Sequence, residues 1–314
     1  MADTKRIATR DSYGRALVEL GRENENIVVL DADLADSTRT GMFRKEFPER
    51  HIDCGIAEAN MMSIAAGLAA SGKIPFASSF AMFAAGRAYE QIRNSIGYPH
   101  LNVKICASHA GISVGEDGAT HQCNEDLLLM RSIPGMVVMN PSDDVETRAA
   151  IKAAAAYDGP VYIRLGRLAV PVFNDEATFK FEIGKAVQLR EGSDVTIIAT
   201  GLMVERALQA AEQLAAEGIS ARVLDMHTIK PIDREAVLAA ARETKGIVTA
   251  EEHSVVGGLY SAVCDTVCAE APCKVAPVAV MDQFGSSGPA MELLEVYGLT
   301  ADNIAAKARQ LLAD

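Results

Sequence analysis

Short runs rich in Val and Ile alternate along this chain with longer, Ala-rich amphipathic stretches. The spacing of apolar positions thus switches between every second residue and a helical turn, the signature of strand, crossover helix, strand. The short runs predict strands at Ile27–Leu30, Ile74–Ser78, Val103–Ala107, Met136–Met139 and Val161–Arg164. The longer stretches predict helices at Ser12–Glu23, Ala57–Ser71, Met82–Ile96, Asn124–Arg131 and Val145–Tyr157. Asn140-Pro141-Ser142-Asp143 supplies a turn and a helix cap before the last of these. From Leu168 to Gly192 the period is lost among Pro171, Asn174-Asp175 and mixed charge, which predicts a linker with some short strand. Alternation then restarts, with strands at Val195–Ala199, Ala221–Leu224, Gly246–Ala250 and Val275–Val280 and helices such as Val204–Ala216 between them. The fold class that follows is α/β: two doubly wound domains, 1–167 and 193–314, each with a largely parallel sheet flanked by helices, joined by a linker at 168–192. Open sheets of this kind bind ligands beyond the carboxyl ends of their strands.

A length of 314 residues with 49% hydrophobic content is enough for two buried cores. The formal net charge of −12 disfavours nucleic acid and anionic membrane surfaces as partners, so any bound anion must meet cations placed locally. Met-Ala-Asp-Thr-Lys-Arg lacks the hydrophobic core of a leader, and the apolar stretches are interrupted before membrane-spanning length, which predicts a cytoplasmic protein. Six cysteines, Cys54, Cys106, Cys123, Cys264, Cys268 and Cys273, form no Cys-x-x-Cys pair, predicting reduced and mostly buried thiols. Cys264 and Cys268 share a helical spacing, but two ligands do not make a zinc site, so no metal site is assigned to this chain.

Gly115-Glu116-Asp117-Gly118-Ala119-Thr120-His121-Gln122 concentrates candidate chemistry, delivering acids and an imidazole to one Gly-punctuated turn. The longer string S-H-A-G-I-S-V-G-E-D-G-A-T-H-Q resembles the substrate loop of transketolases, enzymes that depend on thiamine diphosphate. A-T-R-D-S-Y-G-R-A-L, D-A-D-L-A-D-S, G-I-A-E-A-N-M, S-F-A-M-F, I-R-L-G-R and D-Q-F-G-S-S-G-P resemble further transketolase segments in the same order. The resemblance covers the whole chain but only the C-terminal half of a full-length transketolase, its pyrimidine-binding and C-terminal domains.

The resemblance implies a role for each matching residue. Glu58, in an apolar setting, would hydrogen-bond the aminopyrimidine of thiamine diphosphate and act in its activation, a task suited to a carboxyl that is hard to ionise alone. Phe80 and Phe83 would stack on that ring, and Asp33 would lie near the cofactor. Arg10, Ser37, His109 and Arg167 match positions that contact a sugar phosphate. Asp117 would read a substrate hydroxyl and His121 would assist proton traffic. Gly86 stands where many transketolases carry an aromatic, which implies a more open cofactor pocket, and the following R-A-Y-E-Q resembles deoxyxylulose-phosphate synthase instead.

The chain has no Gly-Asp-Gly signature for a diphosphate and its metal. The resemblance therefore implies an N-terminal partner subunit that carries the diphosphate and the Mg or Ca ion, and assembly into a heterotetramer acting on sugar phosphates. Two other readings stay open: half of a deoxyxylulose-phosphate synthase or related transferase, against which His109 counts, and a non-catalytic regulatory subunit, against which Glu58, Asp117 and His121 count. Glu251-Glu252-His253 and Gly257-Gly258 in the second domain suggest only packing and subunit association.

Overall fold

In the computed structural model, which describes residues 5–313, the alternating strands assemble into two parallel sheets. The opening Met-Ala-Asp-Thr, part of the stretch read above for a leader, and Asp314 lie outside the described residues. The first sheet has seven strands, in the order Thr228–Lys230, Val137–Met139, Val161–Arg164, Lys104–Ser108, Ile74–Phe80, Ile27–Asp31 and His51–Asp53. All neighbours run parallel except Thr228–Lys230, which pairs antiparallel with Val137–Met139. Continuous apolar runs mark these central strands because helices cover both faces: on Ile27–Asp31, Val28 and Leu30 enter one buried cluster while Ile27 and Val29 enter another.

The second sheet follows the order Val275–Val280, Ile247–Ser254, Val195–Ala199, Ala221–Asp225 and Val187–Arg190, parallel but for the last strand. The segment between the sheets supplies that last strand, and its Ala169–Pro171 forms an antiparallel ribbon with Arg6–Ala8. Two crossovers therefore fasten the halves together: Thr228–Lys230 completes the first sheet from the second half, and Ile198, Leu224 and Met226 pack in the same cluster as Leu30 and Ile105.

The helix Asp144–Ala156 begins as its turn chemistry predicts, with the Asp143 side chain accepting the Glu146 N–H at 2.9 Å. The helix expected over Met82–Ile96 departs from regular α geometry. Wide i→i+5 turns at Met82–Arg87 and Ile92–Gly97 flank one short α turn at Tyr89–Gln91. Ala84, Ala85, Ala88, Ile92 and Ile96 stay fully buried through it, so the wide turns keep the apolar face on the core while re-aiming the residues that border the site.

Candidate active site

Parallel strands place all the singled-out side chains of the first domain at one edge. Phe80 ends the strand Ile74–Phe80, His109 follows Lys104–Ser108, Arg167 follows Val161–Arg164, and Asp33 and Ser37 follow Ile27–Asp31. Phe80 and Phe83 stack with ring centroids 5.8 Å apart and planes 18° from parallel. The His109 ring lies on Phe80 at 3.8 Å, turned back by a left-handed backbone (φ 57) that histidine tolerates better than most residues. His121 meets Phe83 edge-on at 5.2 Å and Phe80 at 6.4 Å. Four rings from three segments thus form one wall.

Beside this wall, Arg10 Nη1 donates to the Ser37 carbonyl and to His109 Nε2, each at 3.0 Å. A guanidinium cannot accept, so His109 Nε2 carries no proton, and the proton on Nδ1 is donated to Ser108 Oγ at 2.9 Å. Burial, reinforced by Arg10, Arg167 and Arg39, pushes the His109 imidazole down to about 3, so it is neutral near pH 7. Burial also lowers Arg10, aided by repulsion from Arg39 and Arg167 and opposed by Asp11. Three guanidiniums surround the neutral imidazole, and although Arg39 is paired with Asp11 at 2.5 Å, the Arg10 guanidinium meets no carboxylate among the described residues, so in a chain of net charge −12 the group can serve as a local anion trap. Arg167 is held in it by the Val114 carbonyl and by Glu116, whose carboxylate lies 3.1 Å away. Ser37 contributes its carbonyl to Arg10, leaving its hydroxyl out of these contacts.

Glu58 opens the helix Glu58–Ala70 and is only 2% exposed. It is not the lone carboxyl that its apolar neighbours predict. Arg87 Nη1 lies 3.0 Å from each carboxylate oxygen, and the same guanidinium sits 4.5 Å from the Phe83 ring centroid. The structure therefore gives Glu58 a charged partner on the rim of the aromatic wall. Asp33, at φ 61, donates its N–H to Asp53 and lines a hollow of about 150 Å³ with Ser37 and Arg44. Asp117 stands exposed on the Gly-rich loop, whereas His121 is half-buried and within 2.9 Å of Thr120 Oγ1.

One sequence expectation needs correction. The thiols are free but mostly not buried: only Cys106 and Cys123 are, and Cys268 is exposed. Sequence reasoning also missed Arg39 and Arg87. Arg87 carried a signal in R-A-Y-E-Q, but its link to Glu58 spans 29 residues and only the folded chain reveals it. Among the described residues no group of three or more His, Cys, Asp or Glu side chains is gathered as metal ligands, and no helix is long and apolar enough to cross a membrane.

Residues 5–172 match the pyrimidine-binding domain family of transketolase, and residues 184–304 match the transketolase C-terminal domain family. A transketolase C-terminal section from Methanocaldococcus jannaschii is 52% identical over 298 residues, covering 94% of this chain and 93% of that one. The subunit of a 6-deoxy-6-sulfo-D-fructose transketolase from a Clostridium species is 48% identical, covering 96% of this chain and 94% of that one. Among solved structures, a split-gene transketolase described as an inactive beta4 tetramer superposes with a TM-score of 0.90 at 55% identity, covering 98% of this chain and 99% of that one.

Proposed function

The chain belongs to the transketolase family, spanning its pyrimidine-binding and C-terminal domains, and from that premise we propose that it is the C-terminal subunit of a split transketolase. Paired with an N-terminal subunit, it moves a two-carbon ketol unit from a ketose phosphate to an aldose phosphate. The observation that carries this reading is the juxtaposition of an anion trap with a buried carboxyl and a stacked aromatic wall at one sheet edge. The residues fit thiamine diphosphate only in part: Glu58, Phe80 and Phe83 suit a flat, nitrogen-bearing ring, and Asp33 borders that side. The N-terminal subunit supplies the ligands of the diphosphate and its Mg or Ca ion. When bound, the cofactor supplies the electron sink for cleavage and re-formation of the carbon–carbon bond.

Each residue of this chain then has a definite task. Glu58 hydrogen-bonds the pyrimidine ring nitrogen through the carboxyl that Arg87 contacts in this chain. Arg10, Arg167, Ser37 and His109 receive the substrate phosphate, the guanidiniums and the Ser37 hydroxyl donating to its oxygens while neutral His109 holds Arg10 in place through Nε2. Asp117 takes a hydroxyl beside the reacting carbonyl and His121 moves its proton. Exposed Ile56, 77% accessible and two residues from Glu58, supports a site closed by a second chain. Two copies of each subunit make the simplest closed assembly, a cytoplasmic heterotetramer serving the interconversion of pentose phosphates. The name of the Clostridium relative, a transketolase for a sulfo-sugar, supports a substrate among anionic ketoses. The test is ketol transfer after mixing with an N-terminal section that carries Gly-Asp-Gly, in the presence of thiamine diphosphate and magnesium. Transfer by the mixture and by neither chain alone is expected, and an inactive mixture of folded, associated chains overturns the reading.

A further inference from the structure

Strand alternation along Ile247–Ser254 sends Glu251 and Glu252 to opposite sides. Glu251 turns inward to its own domain, where it accepts the N–H groups of Leu259 at 2.7 Å and Tyr260 at 2.8 Å and so caps the helix Leu259–Glu270. Glu252 points the other way, into the first domain. Its Oε1 accepts the N–H of Ser113 at 2.5 Å, and its own carbonyl accepts Arg164 Nη2 at 2.7 Å. Ser113 lies in the tight turn Ile112–Val114, which leads directly into Gly115 and the loop bearing Asp117 and His121.

The fit between Glu252 and this turn is close. Gly111, at φ 80, would place a Cβ 2.5 Å from Glu252 Cδ, so the chain is moulded onto the carboxyl at a position only glycine fills without displacement. The rest of the loop also leans on the second domain. Gln122 Nε2 bridges the Ile112 carbonyl at 3.1 Å and the Ser286 carbonyl at 2.9 Å, and a Cβ on Gly118 would strike Ser287. Arg164, almost fully buried and paired with Asp126 at 2.9 Å, holds the Glu252 and Cys123 carbonyls together behind the loop. Glu252 is 5% exposed, and burial raises its carboxyl against the opposing pull of Arg164.

We infer that Glu252 is a positioning residue for ketol transfer: through the Ser113 N–H it sets the loop that presents Asp117 and His121, and this gives the second domain a part in the reaction beyond packing and association. The inference rests on the proposed function for its kinetic consequence but on the structure for its physical one, and the two are separable by experiment. Amide hydrogen exchange on the full chain reads the physical part without any turnover. Glu252→Ala should raise exchange across residues 112–121 by about tenfold or more, with the first sheet unchanged. Glu252→Gln, whose amide oxygen still accepts the Ser113 N–H, should restore most of the protection.

In the complex with an N-terminal section, Glu252→Ala should lower kcat about 10- to 100-fold on an unphosphorylated donor, because the loop addresses the reacting carbons, and at least as much on phosphorylated donors, whose Arg167 the same loop holds through Val114 and Glu116. The glutamine variant should recover to within about threefold of wild type. If Glu252→Ala does not fold, Gly111→Ala pushes the same turn off an intact Glu252 and should give the same localised exchange and the same kcat loss. Unchanged exchange over 112–121, or a loss that glutamine does not recover, overturns the inference. A wild-type complex without ketol transfer, alongside the expected exchange pattern, would instead overturn the proposed function and leave Glu252 as the anchor of the loop.

Discussion

At the scale of single residues, substitution of two side chains would separate the proposed cofactor chemistry from the proposed substrate recognition. Glu58→Gln keeps the size of a 2%-exposed side chain and an acceptor for Arg87, but an amide cannot share a proton as a carboxyl does. Turnover by the reconstituted enzyme with saturating thiamine diphosphate should fall about 100-fold or more. Near wild-type turnover would remove Glu58 from cofactor activation. Arg167→Ala should act differently, because only phosphorylated substrates place a dianion in the trap formed with Arg10 and His109. The loss of one charge-assisted contact, about 1.5–3 kcal/mol, should raise KM for a ketose phosphate while leaving hydroxypyruvate little affected. Equal losses on both substrates would mean that Arg167 serves to hold Glu116 and the Val114 carbonyl. Chain order alone could not join Arg10, His109 and Arg167, since even the direct contact between Arg10 and His109 spans 99 residues. Resemblance carried them in sequence, and the hydrogen bond from Arg10 to His109 Nε2 gives the grouping a physical basis. Arg87 was not legible because nothing local ties it to Glu58.

At the scale of elements, a buried acid pair spans the two sheets. Asp225 ends the strand Ala221–Asp225, and Glu146 lies in the first turn of the helix Asp144–Ala156. Ser142 Oγ sits 2.5 Å from Asp225 Oδ2 and 2.8 Å from Glu146 Oε2. One hydroxyl proton cannot serve both, so a carboxyl of the pair keeps its own proton and donates it. Burial, with Asp143 close by, pushes Asp225 up to about 7, and burial with Asp225 raises Glu146 as well. An aspartate in the unfolded chain titrates near pH 4, so the folded state loses stability as pH rises from about 4 to about 7, and the penalty is constant above that. Asp225→Asn carries no such charge. Relative to wild type it should gain about 1–3 kcal/mol between pH 5 and pH 8. Chemical denaturation at the two pH values measures it, and a stability difference that does not change with pH would contradict the shared-proton arrangement.

Elements with a strong apolar period were legible in sequence within a few residues, as Val161–Arg164, Val195–Ala199 and Val275–Val280 illustrate. The strands His51–Asp53, Arg6–Ala8 and Thr228–Lys230 were not. Each is three residues long at a sheet edge or in a ribbon, where pairing to a distant strand decides the conformation and the local pattern carries little information. The wide turns after Phe80 escaped for a related reason: their apolar spacing is helical, and only the seating of Phe83 and Arg87 beside the site distinguishes them.

At the scale of the whole molecule, the proposed function requires this chain to be half of an active site. Its own residues offer a ring wall, a buried carboxyl and an anion trap, and its Phe284 and Ile56 side chains stand 88% and 77% exposed. The coverage of a C-terminal section over nearly its full length agrees with that division of labour. The most direct test is calorimetric titration of the isolated chain with thiamine diphosphate and magnesium, followed by titration into an equimolar mixture with an N-terminal section carrying Gly-Asp-Gly. No tight binding to the chain alone and one cofactor bound per pair of chains in the mixture are expected, with ketol transfer appearing at the same ratio. Tight binding or turnover by this chain alone would contradict the proposed function.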